Sequence, residues 1–198
     1  MKVVGITGGV GAGKTTVINE IKKLCRARFI IADELAKELQ LPGEACYEKI
    51  VNLLGEDILS GGKDSTIDNK KMAEKIFSNN GYLGAVNEII HPAVKEYILD
   101  FIKNEKNANE VDYVFIEAAL LIEDGYDEIC DQMWYIYADE QIRIDRLKKS
   151  RGYSLEKCHA IMKSQNSDTV FRQYSKFVIN NNGNLEETIS DIKKALEG

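Results

Sequence analysis

The strongest constraint on the fold lies in the first sixteen residues of the chain. An apolar, β-branched run leads directly into the segment Gly8-Gly9-Val10-Gly11-Ala12-Gly13-Lys14-Thr15-Thr16. The order Gly, four residues, Gly, Lys and then Ser or Thr is that of a phosphate-binding loop (P-loop). The glycines predict a backbone with positive φ whose N–H groups turn inward around an anion. A glycine-rich turn without a ligand is the alternative, but the strand before it and the amphipathic pattern after it favour a nucleotide site.

Two side chains of this segment have predicted roles. Lys14 is expected to reach the outer phosphates, and the Thr15 hydroxyl is expected to bind Mg²⁺. The helix that begins here aims the positive end of its dipole at the same phosphates. The residues from Gly8 to Thr16 are therefore the predicted nucleotide-binding segment.

Composition limits the class of protein. A chain of 198 residues with 44% hydrophobic content can bury one substantial core. Four cysteines without a C-x-x-C pair and no signal-like N-terminus predict a cytoplasmic location. The longest apolar run, Val114 to Ile122, contains Glu117 and is much shorter than the roughly 20 residues of a membrane helix, so we expect no membrane partner.

Charge points away from nucleic acid as a partner. The net charge is −6 and the pI is 5.1, whereas a nucleic-acid surface needs widely spread Lys and Arg. An anionic nucleotide must therefore meet local positive charge. Besides the P-loop, the densest basic stretch comprises Arg143, Arg146, Lys148, Lys149 and Arg151. It is either a solvated helix face or, beside a P-loop, a source of arginine for a migrating phosphoryl group.

The hydrophobic pattern predicts an α/β fold. Strand-like runs alternate with long stretches of helical periodicity, which predicts a five-stranded parallel sheet flanked by helices. The predicted strands are Lys2 to Thr7, Arg28 to Ile31, Asp112 to Ala118, Met133 to Ala138 and Phe177 to Ile179. Asp139, Ser154 and Asn184 mark helix starts, whereas the polar stretch from Lys103 to Glu110 predicts a surface loop.

The spacing of the strands predicts one domain with two long insertions. We expect a core of residues 1–32, 111–138 and 176–198. Residues 33–103 are long enough for a helical substrate subdomain. Residues 139–174 carry the basic cluster, and their position predicts a helical lid over ATP.

The reaction type depends on what accompanies the P-loop. The chain has neither the D-x-x-G nor the N-K-x-D motif of switch GTPases. Small-molecule kinases instead place an acidic residue at the end of the second strand, and Asp33 stands there, after Phe29-Ile30-Ile31-Ala32. The carboxyl ends of parallel strands are where such sheets hold ligands. Asp33 is therefore either the group that receives the proton of an attacking hydroxyl or the N-cap of the following helix.

At this point the chain resembles the dephospho-CoA kinase family along nearly its whole length. The P-loop is preceded by Thr7 in a T-G-G segment, and later segments follow in the family's order and spacing. They are Ala32-Asp33-Glu34-Leu35-Ala36, Pro42-Gly43, Gly55 to Leu59, Ile76-Phe77, Ile90-His91-Pro92, Leu120 to Glu123, Gln141, Gln165 and Val178 to Gly183.

The resemblance implies a P-loop NTPase fold and transfer of the γ-phosphoryl group of ATP, with Mg²⁺, to the ribose 3′-hydroxyl of dephospho-CoA. It implies that Asp33, Lys14 and a lid arginine act in catalysis. We favour Arg146 over Arg151, because Arg151 lies beside Gly152, where the helix should end. His91 and Glu123 are implied for the acceptor, and Asn181 to Gly183 for adenine.

This chain departs from the family pattern at several positions. The second lid arginine, four residues after Arg146, is replaced by Ser150. The other departures are Ile31, Asn69, Ala119 in the segment from Glu117 to Glu123, and Ser175-Lys176. They concern the acceptor site and the lid rather than the P-loop. A kinase of another alcohol or of a nucleoside monophosphate, and a nucleotide-binding module without turnover, therefore remain alternatives; the oligomeric state is open.

Three further residues have competing interpretations. Glu117 is either an indirect partner of Mg²⁺ or a structural strand-end residue. His91 is either a helix-start residue or an acceptor contact, because with His159 as the only other histidine a zinc site is not expected. Trp134 alternates with strand spacing and is predicted to lie in the core.

Lys14→Ala is expected to abolish measurable turnover and to leave the fold intact, because Lys14 is predicted to face the phosphates rather than the core. Steady-state kinetics with dephospho-CoA and thermal unfolding of the purified variant test this. Turnover near the wild-type rate would refute the assignment of the motif.

Overall fold

The computed structural model describes residues 1–61, 65–118 and 120–198. Five strands form one parallel sheet in the order β2-β3-β1-β4-β5, flanked by helices, as predicted. The strands are β1 (Lys2–Thr7), β2 (Ala27–Ile31), β3 (Tyr113–Glu117), β4 (Gln132–Tyr137) and β5 (Phe177–Asn180). The predicted strands agree with these bounds to within a residue at either end.

Nine α-helices lie in the described part of the chain. They are α1 (Lys14–Leu24), α2 (Ala32–Glu38), α3 (Tyr47–Leu54), α4 (Asn69–Ser78), α5 (Asn80–Ala108), α6 (Glu140–Arg151), α7 (Leu155–Lys163), α8 (Asp168–Tyr174) and α9 (Leu185–Glu197). The predicted caps of α7 and α9 are confirmed, since Ser154 Oγ accepts from Lys157 N and Asn184 Oδ1 accepts from Glu187 N. None of the described helices is long and apolar enough to cross a membrane.

The chain divides into two compact units, residues 1–30 with 108–198 and residues 31–107. The first unit contains the P-loop, strands β1, β3, β4 and β5 and most of β2. The second contains α2, α3, α4 and nearly all of α5. The boundaries of the core, the substrate subdomain and the lid remain predictions from the sequence.

Aromatic side chains on successive strands hold the sheet of the first unit together. Phe115 of β3 stacks on Phe29 of β2 at 5.2 Å between ring centroids, and Trp134 of β4 meets Phe115 edge-on at 5.3 Å. Phe177 of β5 continues the row at 6.2 Å from Trp134. Trp134 has no exposed surface, so its predicted place in the core is confirmed. This row holds the strands whose carboxyl ends carry the loops of the site.

In the second unit, α3 and α5 supply buried apolar side chains, among them Ile50, Leu54 and Ile98. The Tyr47 hydroxyl donates to Ser65 O at 2.6 Å, and the Cys46 thiol lies 3.8 Å from Ile89 O on α5. These two contacts fix the start of α3 against the rest of the unit.

Three local expectations are wrong. The stretch from Lys103 to Ala108 is helical, because Ile98 and Ile102 continue the buried stripe of α5 while the polar residues occupy its exposed side. His91 does not start a helix, since α5 continues through Pro92. Asp33 is not an N-cap: the cap of α2 is Ile31, and Asp33 lies in the first turn, where a carboxylate favours the helix dipole.

Candidate functional site

The P-loop joins β1 to α1 and has the shape of an anion-binding nest. Gly11 and Gly13 have φ of 80° and 90°, a region that favours glycine. Ala12 N donates to Gly9 O at 3.1 Å and closes the turn, and α1 begins at Lys14. Successive backbone N–H groups at a helix N-terminus bind phosphate, so the loop is preformed for a polyphosphate.

The expectation that all glycines of the P-loop supply positive φ is wrong for Gly9, whose φ is not positive. At this position the guanidinium of Arg143 packs directly against the backbone instead. A Cβ on Gly9 would lie 2.3 Å from Nη2 and 2.8 Å from Nη1 of Arg143. The guanidinium of Arg143 therefore occupies the space that a side chain at this position would fill.

Lys14 is held across the loop by two oxygen partners. Its Nζ donates to Gly8 O at 2.8 Å and lies 3.4 Å from Glu117 Oε1 at the end of β3. The side chains of Lys14 and Glu117 are only 19% and 14% exposed, so this ion pair is partly shielded from solvent. The ammonium group is thereby directed over the turn that would hold the phosphates.

The predicted metal ligands fit Mg²⁺ by their chemistry. Thr15 is an exposed residue of the first turn of α1 and offers a hydroxyl oxygen, and Glu117 offers a carboxylate at the neighbouring strand end. No group of three or more His, Cys, Asp or Glu able to hold a metal occurs among the described residues. Mg²⁺ characteristically takes few protein ligands and completes its shell with water and substrate phosphates, so such an oxygen-only set suits it.

Arg146 contacts the P-loop from α6. Its Nη1 donates to Ala12 O at 3.2 Å, and its Nη2 donates to Asn181 O at 2.8 Å. Asn181 supports the same carbonyl, because its Nδ2 donates to Ala12 O at 2.7 Å while its Oδ1 accepts from the Thr188 hydroxyl at 3.2 Å. The buried amide of Asn181 therefore braces the P-loop between α6 and α9.

Arg143 also contacts the P-loop, although sequence reasoning did not select it from the basic cluster. Its Nε donates to Val10 O at 2.8 Å and its Nη2 lies 3.4 Å from Gln165 Oε1. Gln165 Oε1 also accepts from Val10 N at 2.9 Å. The signal that could have identified Arg143 is its i,i+3 spacing from Arg146, which places both residues on one face of α6.

Arg151 lies elsewhere on the lid. It is the last residue of α6, before Gly152 with φ of 63°, as the sequence predicted. Its guanidinium lies 5.9 Å from the centre of the Tyr153 ring. The structure therefore directs Arg143 and Arg146, rather than Arg151, to the P-loop.

Neither of the two arginines at the P-loop forms an ion pair with a described carboxylate. In the part of the chain that the structure describes, no carboxylate oxygen lies within 4.0 Å of the guanidinium group of Arg143 or Arg146. Both side chains are half-buried, and burial lowers the pKa of Arg143 despite the opposing effects of Tyr135 and Glu140. Because no described carboxylate lies at ion-pair distance from these two half-buried cations, the loop carries local positive charge and is suited to a polyanion.

The residues predicted to hold the acceptor are divided between the two units. In the first unit, the exposed Glu123 follows β3, and its Oε1 accepts from Asn166 Nδ2 at 2.8 Å. In the second unit, His91 is an exposed residue of α5 and Asp33 an exposed residue of α2. Ala119, one of the departures from the family pattern, lies outside the described residues.

Three other departures from the family pattern lie at helix ends or next to a strand. Asn69 is the first residue of α4, whose N-cap Asp68 accepts from Lys70 N and Lys71 N. Ser150 is exposed near the end of α6. Lys176 Nζ donates to Gly198 O at 3.0 Å, on the approach to β5.

A P-loop between β1 and α1 of a parallel sheet flanked by helices is the arrangement of the P-loop NTPase fold. The model of the dephospho-CoA kinase family matches residues 2–187, and the chain belongs to this family. It is therefore a transferase that uses ATP.

Relatives support the same family, and solved structures support the same fold. A dephospho-CoA kinase of Carboxydothermus hydrogenoformans is 30% identical over 100% of this chain and 94% of its own length. One of Vibrio parahaemolyticus is 32% identical over 96% and 90%. A Thermus thermophilus structure matches with a TM-score of 0.81 at 25% identity, covering 99% of this chain and 96% of that one. A Campylobacter jejuni dephospho-CoA kinase matches in fold with a TM-score of 0.72 at 23% identity, over 98% and 95%.

Arg146→Ala is expected to lower kcat by about 10³-fold or more, the scale of an arginine that stabilises a migrating phosphoryl group. Arg151→Ala is expected to leave kcat nearly unchanged, because its guanidinium faces Tyr153 rather than the P-loop. Steady-state kinetics of both variants measure the difference, and thermal unfolding checks that both variants are folded. A large loss of kcat in Arg151→Ala with only a KM change in Arg146→Ala would reverse the assignment.

Proposed function

We propose that the protein transfers the γ-phosphoryl group of ATP to the ribose 3′-hydroxyl of dephospho-CoA, giving coenzyme A and ADP. Membership of the dephospho-CoA kinase family over residues 2–187 carries the choice of substrates. The P-loop, with two arginines that donate to its backbone carbonyls, supports the choice of a nucleoside triphosphate as donor.

In the proposed step, the 3′-hydroxyl oxygen attacks the γ-phosphorus. A new O–P bond forms, the bond between the γ-phosphorus and the β,γ-bridging oxygen breaks, and ADP leaves with that electron pair. The hydroxyl proton passes to the carboxylate of Asp33. The transition state is loose, so catalysis consists mainly of positioning and neutralising charge on the transferred oxygens. Lys14 and Arg146 supply that charge in this proposal.

Mg²⁺ is proposed as the metal of the reaction. When bound, it would counter the charge that develops on the phosphate oxygens. Thr15 would hold it directly through its hydroxyl, and Glu117 would orient its water ligands. The ion pair of Glu117 with Lys14 ties this carboxylate to the same loop and supports the assignment.

The remaining assignments concern the ends of the two substrates. We assign His91 and Glu123 to the acceptor and Asn181 to Gly183 to the surroundings of adenine. Since both polar atoms of the Asn181 side chain already have protein partners, its contribution to nucleotide binding would be to fix the loop. A cytoplasmic location is proposed, and the four free thiols agree with it.

A panel of acceptors tests the proposal. ADP release is measured with Mg²⁺ and dephospho-CoA, AMP, CMP or pantetheine derivatives, and the product is analysed by mass to place the new phosphate. We expect dephospho-CoA to give the highest kcat/KM. Preference for AMP, CMP or a pantetheine derivative would favour a kinase of another substrate. ATP binding without ADP release from any acceptor would favour a binding module.

Asp33→Asn is expected to lower kcat by about 10² to 10⁴, the contribution of a general base, with little change in ATP affinity. The amide keeps the shape of the side chain and removes the proton acceptor. Kinetics with dephospho-CoA and nucleotide titrations measure the two quantities. The neighbouring carboxylate Glu34, also exposed on α2, gives the matched control Glu34→Gln. Equal losses of ATP binding and rate would assign Asp33 to nucleotide or metal binding instead.

A further inference from the structure

Val10, the third residue of the P-loop, is held from three directions by the chain between β4 and β5. Gln165 Oε1 accepts from its N–H, and Arg143 Nε donates to its carbonyl. Its side chain packs on a buried cluster formed by Ile144, Leu147 and Cys158 of α6 and α7. The contact between Arg143 Nη2 and Gln165 Oε1 closes a ring of hydrogen bonds around Val10.

This ring fixes the guanidinium of Arg143 at one end of the P-loop. Its nitrogen atoms lie against Gly9, where they would come within 2.8 Å of any Cβ. Lys14 Nζ, the group that reaches the outer phosphates in P-loops, contacts the carbonyl of the adjacent Gly8 at 2.8 Å. Two cations therefore flank the Gly8-Gly9 turn, and Arg143 lies at the outer-phosphate end of the loop.

The partners of Arg143 orient it without cancelling its charge. Val10 O and the Gln165 amide oxygen are neutral acceptors, and the two bonds use two of the five N–H donors of a guanidinium. A glutamate at position 165 could make the same contacts, but it would form a half-buried ion pair. Glutamine instead leaves a full positive charge and further donors for a ligand.

We propose that Arg143, oriented by Gln165 against Val10, is a specificity-determining residue that makes the site prefer a nucleoside triphosphate to a diphosphate. The inference rests on the proposed function only in taking ATP as the nucleotide. It adds Arg143 to Arg146 as a second arginine of α6 that acts on the terminal phosphate.

The test is nucleotide binding without an acceptor, measured by calorimetry with Mg²⁺. The probes are ADP and a non-hydrolysable ATP analogue, and the readout is the ratio of their Kd values. Arg143→Leu is expected to weaken binding of the analogue by about 10- to 100-fold, the range for a lost bond to a charged group, and that of ADP by less than about threefold.

Two further variants separate this role from a structural one. Gln165→Glu keeps both contacts of the ring but neutralises the guanidinium. Like Arg143→Leu, it is therefore expected to lower the preference for the ATP analogue over ADP, while it retains the wild-type melting temperature. Lys149→Leu removes a charge from an exposed position on the same helix and is expected to leave the ratio unchanged.

The proposal is overturned if Arg143→Leu and Gln165→Glu leave the ratio of the two Kd values unchanged, including the case in which they weaken the binding of both nucleotides by the same factor. It is also overturned if Lys149→Leu changes this ratio as much as they do. Because no acceptor is present, the outcome is independent of the acceptor panel. A protein that binds the triphosphate as described but does not phosphorylate dephospho-CoA would refute the proposed function alone.

Discussion

The close approach of α6 and Asn181 to the P-loop is the constraint on which the rest of the site depends. A Cβ on Gly11 would lie 2.9 Å from the carbonyl oxygen of Arg143 and 3.1 Å from Leu147 Cγ, and one on Gly13 would lie 2.3 Å from Asn181 Nδ2. The glycines of the loop therefore serve two purposes. They form the anion-binding turn, and they allow a helix to pack on it closely enough for two arginines to reach the loop carbonyls.

That packing places at the loop two guanidinium groups that form no ion pair with a carboxylate among the described residues. With a net charge of −6 the chain has many carboxylates, yet the oxygen atoms that accept hydrogen bonds from Arg143 and Arg146 belong to backbone carbonyls and a side-chain amide. Asp145 is adjacent to Arg146 in sequence, but its carboxylate accepts from Gln141 Nε2 on the exposed side of α6. Hydrogen bonds to neutral oxygens orient a guanidinium group and leave its positive charge available to attract an anionic ligand. An ion pair with a carboxylate would largely cancel that charge.

The sequence predicted the elements of the fold and the P-loop because these depend on local patterns. β-Branched runs bounded by turn residues define the strands, and Ser154 and Asn184 mark helix starts through their own side-chain chemistry. Lys103 to Ala108 was misjudged because a polar loop and the exposed end of an amphipathic helix have the same composition. The role of Gly9 and the contact between Arg143 and Val10 could not be predicted, since Arg143 and Val10 are 133 positions apart.

The short segment after α7 contacts both the P-loop and the residue that we propose for the acceptor. Gln165 holds Val10 of the P-loop, while the next residue, Asn166, donates to Glu123 after β3. Of these two consecutive residues, one therefore contacts the P-loop and the other contacts the carboxylate that we propose for the acceptor. If an acceptor took Glu123 away from Asn166, the residue next to Gln165 would lose this hydrogen bond, and the contact of Gln165 with Val10 would be affected through their shared backbone. In that arrangement, the acceptor would influence the phosphate-binding loop without touching it.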